Sequence, residues 1–199
     1  MTQVAATDTR AAIIAAAFAC FRTRGLAKTT IVDIARAADV SRSTVYEYFK
    51  DKETIVAACA EAASQRFYRN MATAIDRHGG STLEGKLVRA AVFVCQARRV
   101  VEPEVYFDQE EVGLMLTKNA ANLLQECAEF IAPYLSAARH TGEVRKDLDV
   151  NAAGEWLARM LFSLFSTPSL QVDMRDDEAV AEFVRPFVVR GLIDDQSRR

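Results

Sequence analysis

The sequence predicts an all-helical protein of two domains, and three observations lead there. Eight glycines and four prolines occur in 199 residues, half the ~12% share of an average chain, and no proline precedes Pro103. Apolar residues recur at spacings of three and four along most of the chain, the period of a helix with one buried face. Half of the residues are apolar and 26% are charged, a globular composition, and a chain of this length buries roughly 70% of its unfolded surface without disulfide or metal support.

The first helix is expected over 8–24, with Ile13, Ile14, Ala17, Phe18 and Phe21 on one face and Gly25 as the terminating residue. Thr30 can cap a short second helix with Asp33 in its first turn and Ile31, Ile34 and Ala35 turned inward. After Ala38, Asp39 and Val40, Ser41 caps a third helix over 42–49, in which Val45 and Phe49 share the inward face. Asp51 caps a longer helix over 52–77, which ends at Gly79 and Gly80 and links a domain at 1–52 to one at 53–199. Further helices are expected at 82–101, 104–116, 117–140, 151–166 and 177–192, with loops at 142–149 and 167–175. Pro133 and Pro186 should kink the helices they fall in.

Charge is distributed unevenly. Residues 1–52 carry eight basic and five acidic side chains, against a formal net charge of −2 for the whole chain, so an anionic partner is expected for the N-terminal part alone. Two short helices separated by a short turn, the second Ser-capped with polar residues outward, satisfy the requirements of a helix-turn-helix. On the second of these helices Ser43 and Glu47 lie opposite the buried stripe, and Arg42, Thr44, Tyr46 and Tyr48 flank it. Lys52 stands in a first helical turn, where a cation opposes the macrodipole by ~0.3–1 kcal/mol. A bound phosphate would reverse that penalty.

These residues resemble a known family. Arg10 opens R-x-x-I-I-x-A-A, Phe18, Phe21 and Gly25 follow, Thr29 opens T-T-I-x-x-I-A, and Val40 to Lys52 reads V-S-x-S-T-V-Y-x-Y-F-K-x-K. Residues 10–53 resemble the DNA-binding domain of the TetR (tetracycline repressor) family of transcriptional regulators. The resemblance implies duplex operator DNA as partner, a palindromic site, a homodimer, and a C-terminal domain that binds a small effector. It implies DNA contacts from Thr29, Thr30, Arg42, Ser43, Thr44, Tyr46, Glu47, Tyr48 and Lys52, the two threonines also serving as caps. The chain departs from the family pattern at Ser43 and Asp39, where glycine is common. Glu47 either accepts from a cytosine amino group or pairs with Lys50 in solvent.

In the C-terminal part Val94, Phe107, Leu116, Leu123, Cys127 and Trp156 are expected to wall a hydrophobic effector pocket, with Arg98, Asn119 and Arg159 as its polar groups. Arg98 serves a ligand anion or a protein acid such as Glu155, or it snorkels near the helix C-terminus. The helix at 151–166 is apolar over most of its circumference, so Leu157, Leu161 and Phe165, with Val180, Phe183 and Phe187, are expected at a two-fold dimer interface. A helical binding module without DNA contacts is the competing reading.

Other classes find little support. His78 and His140 have no nucleophile at readable spacing, no phosphate loop or dinucleotide fingerprint occurs, and neither an enzyme, a cofactor nor a metal is expected. Cys20, Cys59, Cys95 and Cys127 are more than thirty residues apart and read as free thiols of a cytoplasmic protein. No apolar run is long enough for a membrane span.

Overall fold

The computed structural model describes residues 2–101 and 120–193. Among these residues there are helices and no strand: α1 (Thr2–Arg24), α2 (Ile31–Ala37), α3 (Arg42–Tyr48), α4 (Lys52–His78), α5 (Leu83–Val101), α6 (Ala120–Thr141), α7 (Val150–Ser166) and α8 (Asp177–Val188). The helix expected at 104–116 lies outside the described residues. No helix among them is long and apolar enough to cross a membrane. α1 begins upstream of the expected Asp8, since residues 2–7 contain neither glycine nor proline to stop the hydrogen-bond ladder.

Two compact units form, and α4 contributes residues to both. The first runs to Phe67, well beyond the expected boundary at residue 52. The reason lies in its core, where Ile55, Ala58 and Cys59 of α4 are buried with Ile13, Ala17 and Phe21 of α1, Ile34 and Ala35 of α2, and Val45 and Phe49. Each large apolar side chain fully removed from water there contributes roughly 1.5–3 kcal/mol. Gly25 ends α1 as expected, with φ 79° and its N–H donating to the Phe21 carbonyl at 2.9 Å.

The second unit starts at Tyr68. In it α5 packs on α7 and α8, and α6 packs on α7. A Cβ on Gly154 would stand 3.3 Å from the Ala128 carbonyl oxygen, so α6 and α7 approach closely because the residues that meet are glycine and alanine. Asp149 and Asp176 cap α7 and α8, each accepting from two backbone N–H groups. α8 stops at Val188, short of the expected residue 192. Beyond it Leu192 donates to the Val189 carbonyl at 2.9 Å and accepts from the Arg145 N–H at 2.9 Å, a tighter turn held by the 142–149 loop.

Candidate nucleic-acid interface

The interface is built by caps. The Thr30 hydroxyl accepts from the Asp33 N–H at 3.2 Å, and the Asp33 carboxylate accepts from the Thr30 N–H at 3.0 Å and hydroxyl at 2.6 Å, closing a capping box at the start of α2. These bonds, followed by the Arg24 guanidinium paired with the same carboxylate, hold the Asp33 carboxyl below its ordinary range. α2 ends in a Schellman arrangement: Val40 N–H donates to the Ala35 carbonyl at 3.0 Å and Asp39 N–H to the Arg36 carbonyl at 3.3 Å. Asp39 takes the left-handed conformation this requires, at φ 54°, the one non-glycine residue with positive φ among those described.

The chain then enters α3 through Ser41, whose hydroxyl accepts from the Thr44 N–H at 3.0 Å. The Ser43 and Thr44 hydroxyls lie 2.6 and 2.9 Å from that of Ser41, so the three form one network at the start of the helix. Val45 is fully buried, which turns Arg42, Ser43, Tyr46 and Glu47 outward. Tyr46 is 47% exposed, whereas Tyr48 is half-buried against the core. Glu47 is exposed and makes no ion pair with Lys50.

Two of the expected phosphate ligands have other occupations. Thr29 is 1% exposed, and its hydroxyl lies 2.8 Å from the Gly25 carbonyl and 3.2 Å from that of Cys20, so of the two threonines only Thr30 faces outward. Lys52 donates from Nζ to the Leu26 carbonyl at 2.6 Å and contacts that of Ala27 at 3.4 Å. Backbone carbonyls thus supply the counterpart that a phosphate was expected to supply, and the ammonium ties α4 to the turn between α1 and α2. Arg10 was missed as part of this surface: its guanidinium lies 5.3 Å from the centroid of the Phe49 ring. Nothing in the spacing of residues 10 and 49 shows that contact.

The candidate residues of the second unit separate in the same way. Val94 is buried and Leu123 and Cys127 half-buried, while Phe107, Leu116 and Asn119 lie outside the described residues. Trp156 is 50% exposed. Arg159 pairs with Glu155 at 2.6 Å, and these two line an open cavity of about 400 Å³ between α6 and α7 that Trp156 does not line. Arg98 is half-buried at the end of α5, and Arg159 supplies the partner expected of Arg98 for Glu155. Burial pushes the Cys127 thiol up to about 11, with a hydrogen bond from Tyr68 acting against it. Tyr68 stacks on Phe130 at 5.1 Å, and Phe130 meets Tyr134 at 5.6 Å. Of the expected dimer residues, Leu157, Leu161 and Val180 are buried within their own unit and have no surface to give a partner. Phe165 is half-buried, and Phe183 and Phe187 are 40% and 53% exposed.

Residues 13–59 match the model of the bacterial regulatory proteins, tetR family. The chain is similar to the HTH-type transcriptional regulator AlkX of Mycobacterium tuberculosis, 24% identical over 176 residues that cover 86% of this chain and 82% of that one. It is also similar to the HTH-type transcriptional regulator TtgR of Pseudomonas putida, 43% identical over 61 residues, 31% of this chain and 29% of TtgR. Among solved structures, a TetR-family transcriptional regulator from Pectobacterium atrosepticum superposes with a TM-score of 0.64 at 22% identity, covering 97% of this chain and 98% of that one. The TetR family repressor AlkX from a Dietzia species superposes with a TM-score of 0.60 at 20% identity, covering 92% and 98%.

Proposed function

From the match of residues 13–59 to the model of the tetR family of bacterial regulatory proteins and the similarity to a helix-turn-helix regulator over most of the chain, we propose that the chain is a transcriptional regulator of that family rather than an enzyme, and a ligand-responsive repressor. It binds a palindromic operator as a homodimer, each α3 in a major groove, and acts in the compartment that holds the DNA. The observation that carries this reading is the outer face of α3, where Arg42, Ser43, Tyr46 and Glu47 are exposed on a helix whose inner face is held by Val45. Thr30, Thr44, Tyr48 and Lys52 border it. In this reading Ser43 and Glu47 select bases, while Arg42, Tyr46 and the N–H groups of the caps position the backbone.

The first unit is the DNA-reading part and the second the effector and dimerisation part. A hydrophobic effector fits walls that include Val94, Leu123 and Cys127. For assembly, Phe183 and Phe187 on α8 and Trp156 on α7 are apolar surface that a second copy would cover. An effector that prefers the geometry unable to hold DNA, with a coupling of ~1–3 kcal/mol, lowers operator affinity about 5- to 150-fold.

The test is fluorescence anisotropy on duplexes taken from the DNA flanking the gene, across a salt series. Specific binding with a steep salt dependence, weakened by Tyr46→Ala and altered in base preference by Glu47→Gln, is the expected result. Equal affinity for the flanking and an unrelated duplex would defeat the repressor reading.

A further inference from the structure

The second unit contains a cavity of about 260 Å³ between the last turns of α5 and the segment joining α7 to α8. Three arginines line it, Arg98 and Arg99 from α5 and Arg175 from the connecting segment. Asp173 is the acid among the described lining residues, and its Oδ1 is engaged at 2.9 Å by the backbone N–H of Arg175. Arg99 donates through Nη2 to Asp177 at 2.7 Å and to the Met174 carbonyl at 3.1 Å. Its Nε–H is buried and has no acceptor among the described residues, which is unfavourable for a donor removed from water. Arg175 is exposed, and its guanidinium bonds to none of the described residues. The other walls are Pro168, Val172, Met174, the Ser169 hydroxyl, which already accepts from the Gln171 and Val172 N–H groups at 3.2 and 3.1 Å, and the Cys95 thiol, which burial pushes up to about 11 and keeps neutral.

We propose that this pocket is an anion site that takes a small organic carboxylate, its head group held by Arg99 and Arg175 and its hydrocarbon part against Val172, Met174 and Cys95. The planar guanidinium fork matches a carboxylate, an arrangement a neutral ligand does not exploit. The volume lies below the ~300–1,000 Å³ of pockets for larger ligands, so the tail is short. Arg98, a lining residue here, is also a polar group the sequence leads one to expect at the effector pocket, and to that extent the inference rests on that reading; binding itself is independent of any effect on DNA.

Isothermal titration of the full chain with sodium octanoate and with benzoate tests it, with octanamide as the neutral twin of the first. One saturable site per chain is expected for at least one carboxylate, with octanamide at least tenfold weaker. Arg175→Gln, at an exposed position, should weaken binding about tenfold, Val172→Trp should fill the cavity and abolish it, and Lys146→Gln should leave it unchanged. Absence of saturable binding by both carboxylates, equal affinity for octanamide, or unchanged affinity in Arg175→Gln overturns the proposal. Anisotropy on the operator with the same samples separates the two readings. Binding without DNA release sinks the carboxylate as effector and leaves the site standing.

Discussion

Asp39 holds a backbone conformation that costs an L-residue roughly 1–2 kcal/mol, and it does so because α2 must be closed within the four residues, 38–41, that lead to α3. Asp39→Val should therefore lower the stability of the first unit by about 1–2 kcal/mol, whereas Asp39→Gly should be neutral or stabilising; chemical denaturation followed by circular dichroism reads both. The sequence carried this requirement, since the position stands where a turn glycine is usual. The role of Lys52 was not legible in the same way, because its acceptors, the carbonyls of Leu26 and Ala27, are 26 and 25 residues away. Backbone acceptors leave no trace in residue identity. Lys52→Met should destabilise the free protein by about 1 kcal/mol. A variant of unchanged stability would show that the tether carries no weight.

The capped helix starts of the first unit were the most legible elements. Thr30, Ser41 and Asp51 all accept from N–H groups of the first helical turn, and Ser, Thr and Asp at such places compete with the backbone only by capping it. The capping box of α2 has a pH dependence whose sign follows from its carboxylate. The folded state holds the Asp33 carboxyl below its unfolded range, first through Thr30 and then through Arg24. Its contribution is therefore full above the unfolded value near pH 4 and is lost as the pH falls through the lower folded value. Thr30→Ala should make the acid limb of the stability profile shallower below about pH 4, and an unchanged limb would assign acid sensitivity to other groups. α7 was less legible. Its wide apolar surface predicts burial on more than one side, but periodicity alone does not say whether a neighbour from the same chain or from a second copy provides it. In the structure α5 and α6 do so from within, which removes Leu157 and Leu161 from any outer interface.

At the scale of the whole molecule, the all-helical class followed from the scarcity of glycine and proline, while the boundary between units did not. A capped helix start looks like a domain edge in sequence, yet Asp51 and Lys52 begin a helix whose first turns complete the core already formed by α1, α2 and α3. Assembly should depend on the aromatic residues that remain outside. The Phe183→Glu, Phe187→Glu double variant is expected to sediment as a monomer, and a fully dimeric variant would place the two-fold contact elsewhere. The sharing of α4 also sets a rule for recombination. A fragment cut at residue 52 leaves behind Ile55, Ala58 and Cys59 and exposes the apolar surface they cover, so it should be unfolded by circular dichroism where a fragment extending to residue 67 is folded. Exchanging the DNA-reading heads of two such regulators therefore means exchanging the opening turns of α4 with them: the inheritable module is three helices and part of a fourth, and the seam runs through the middle of a helix.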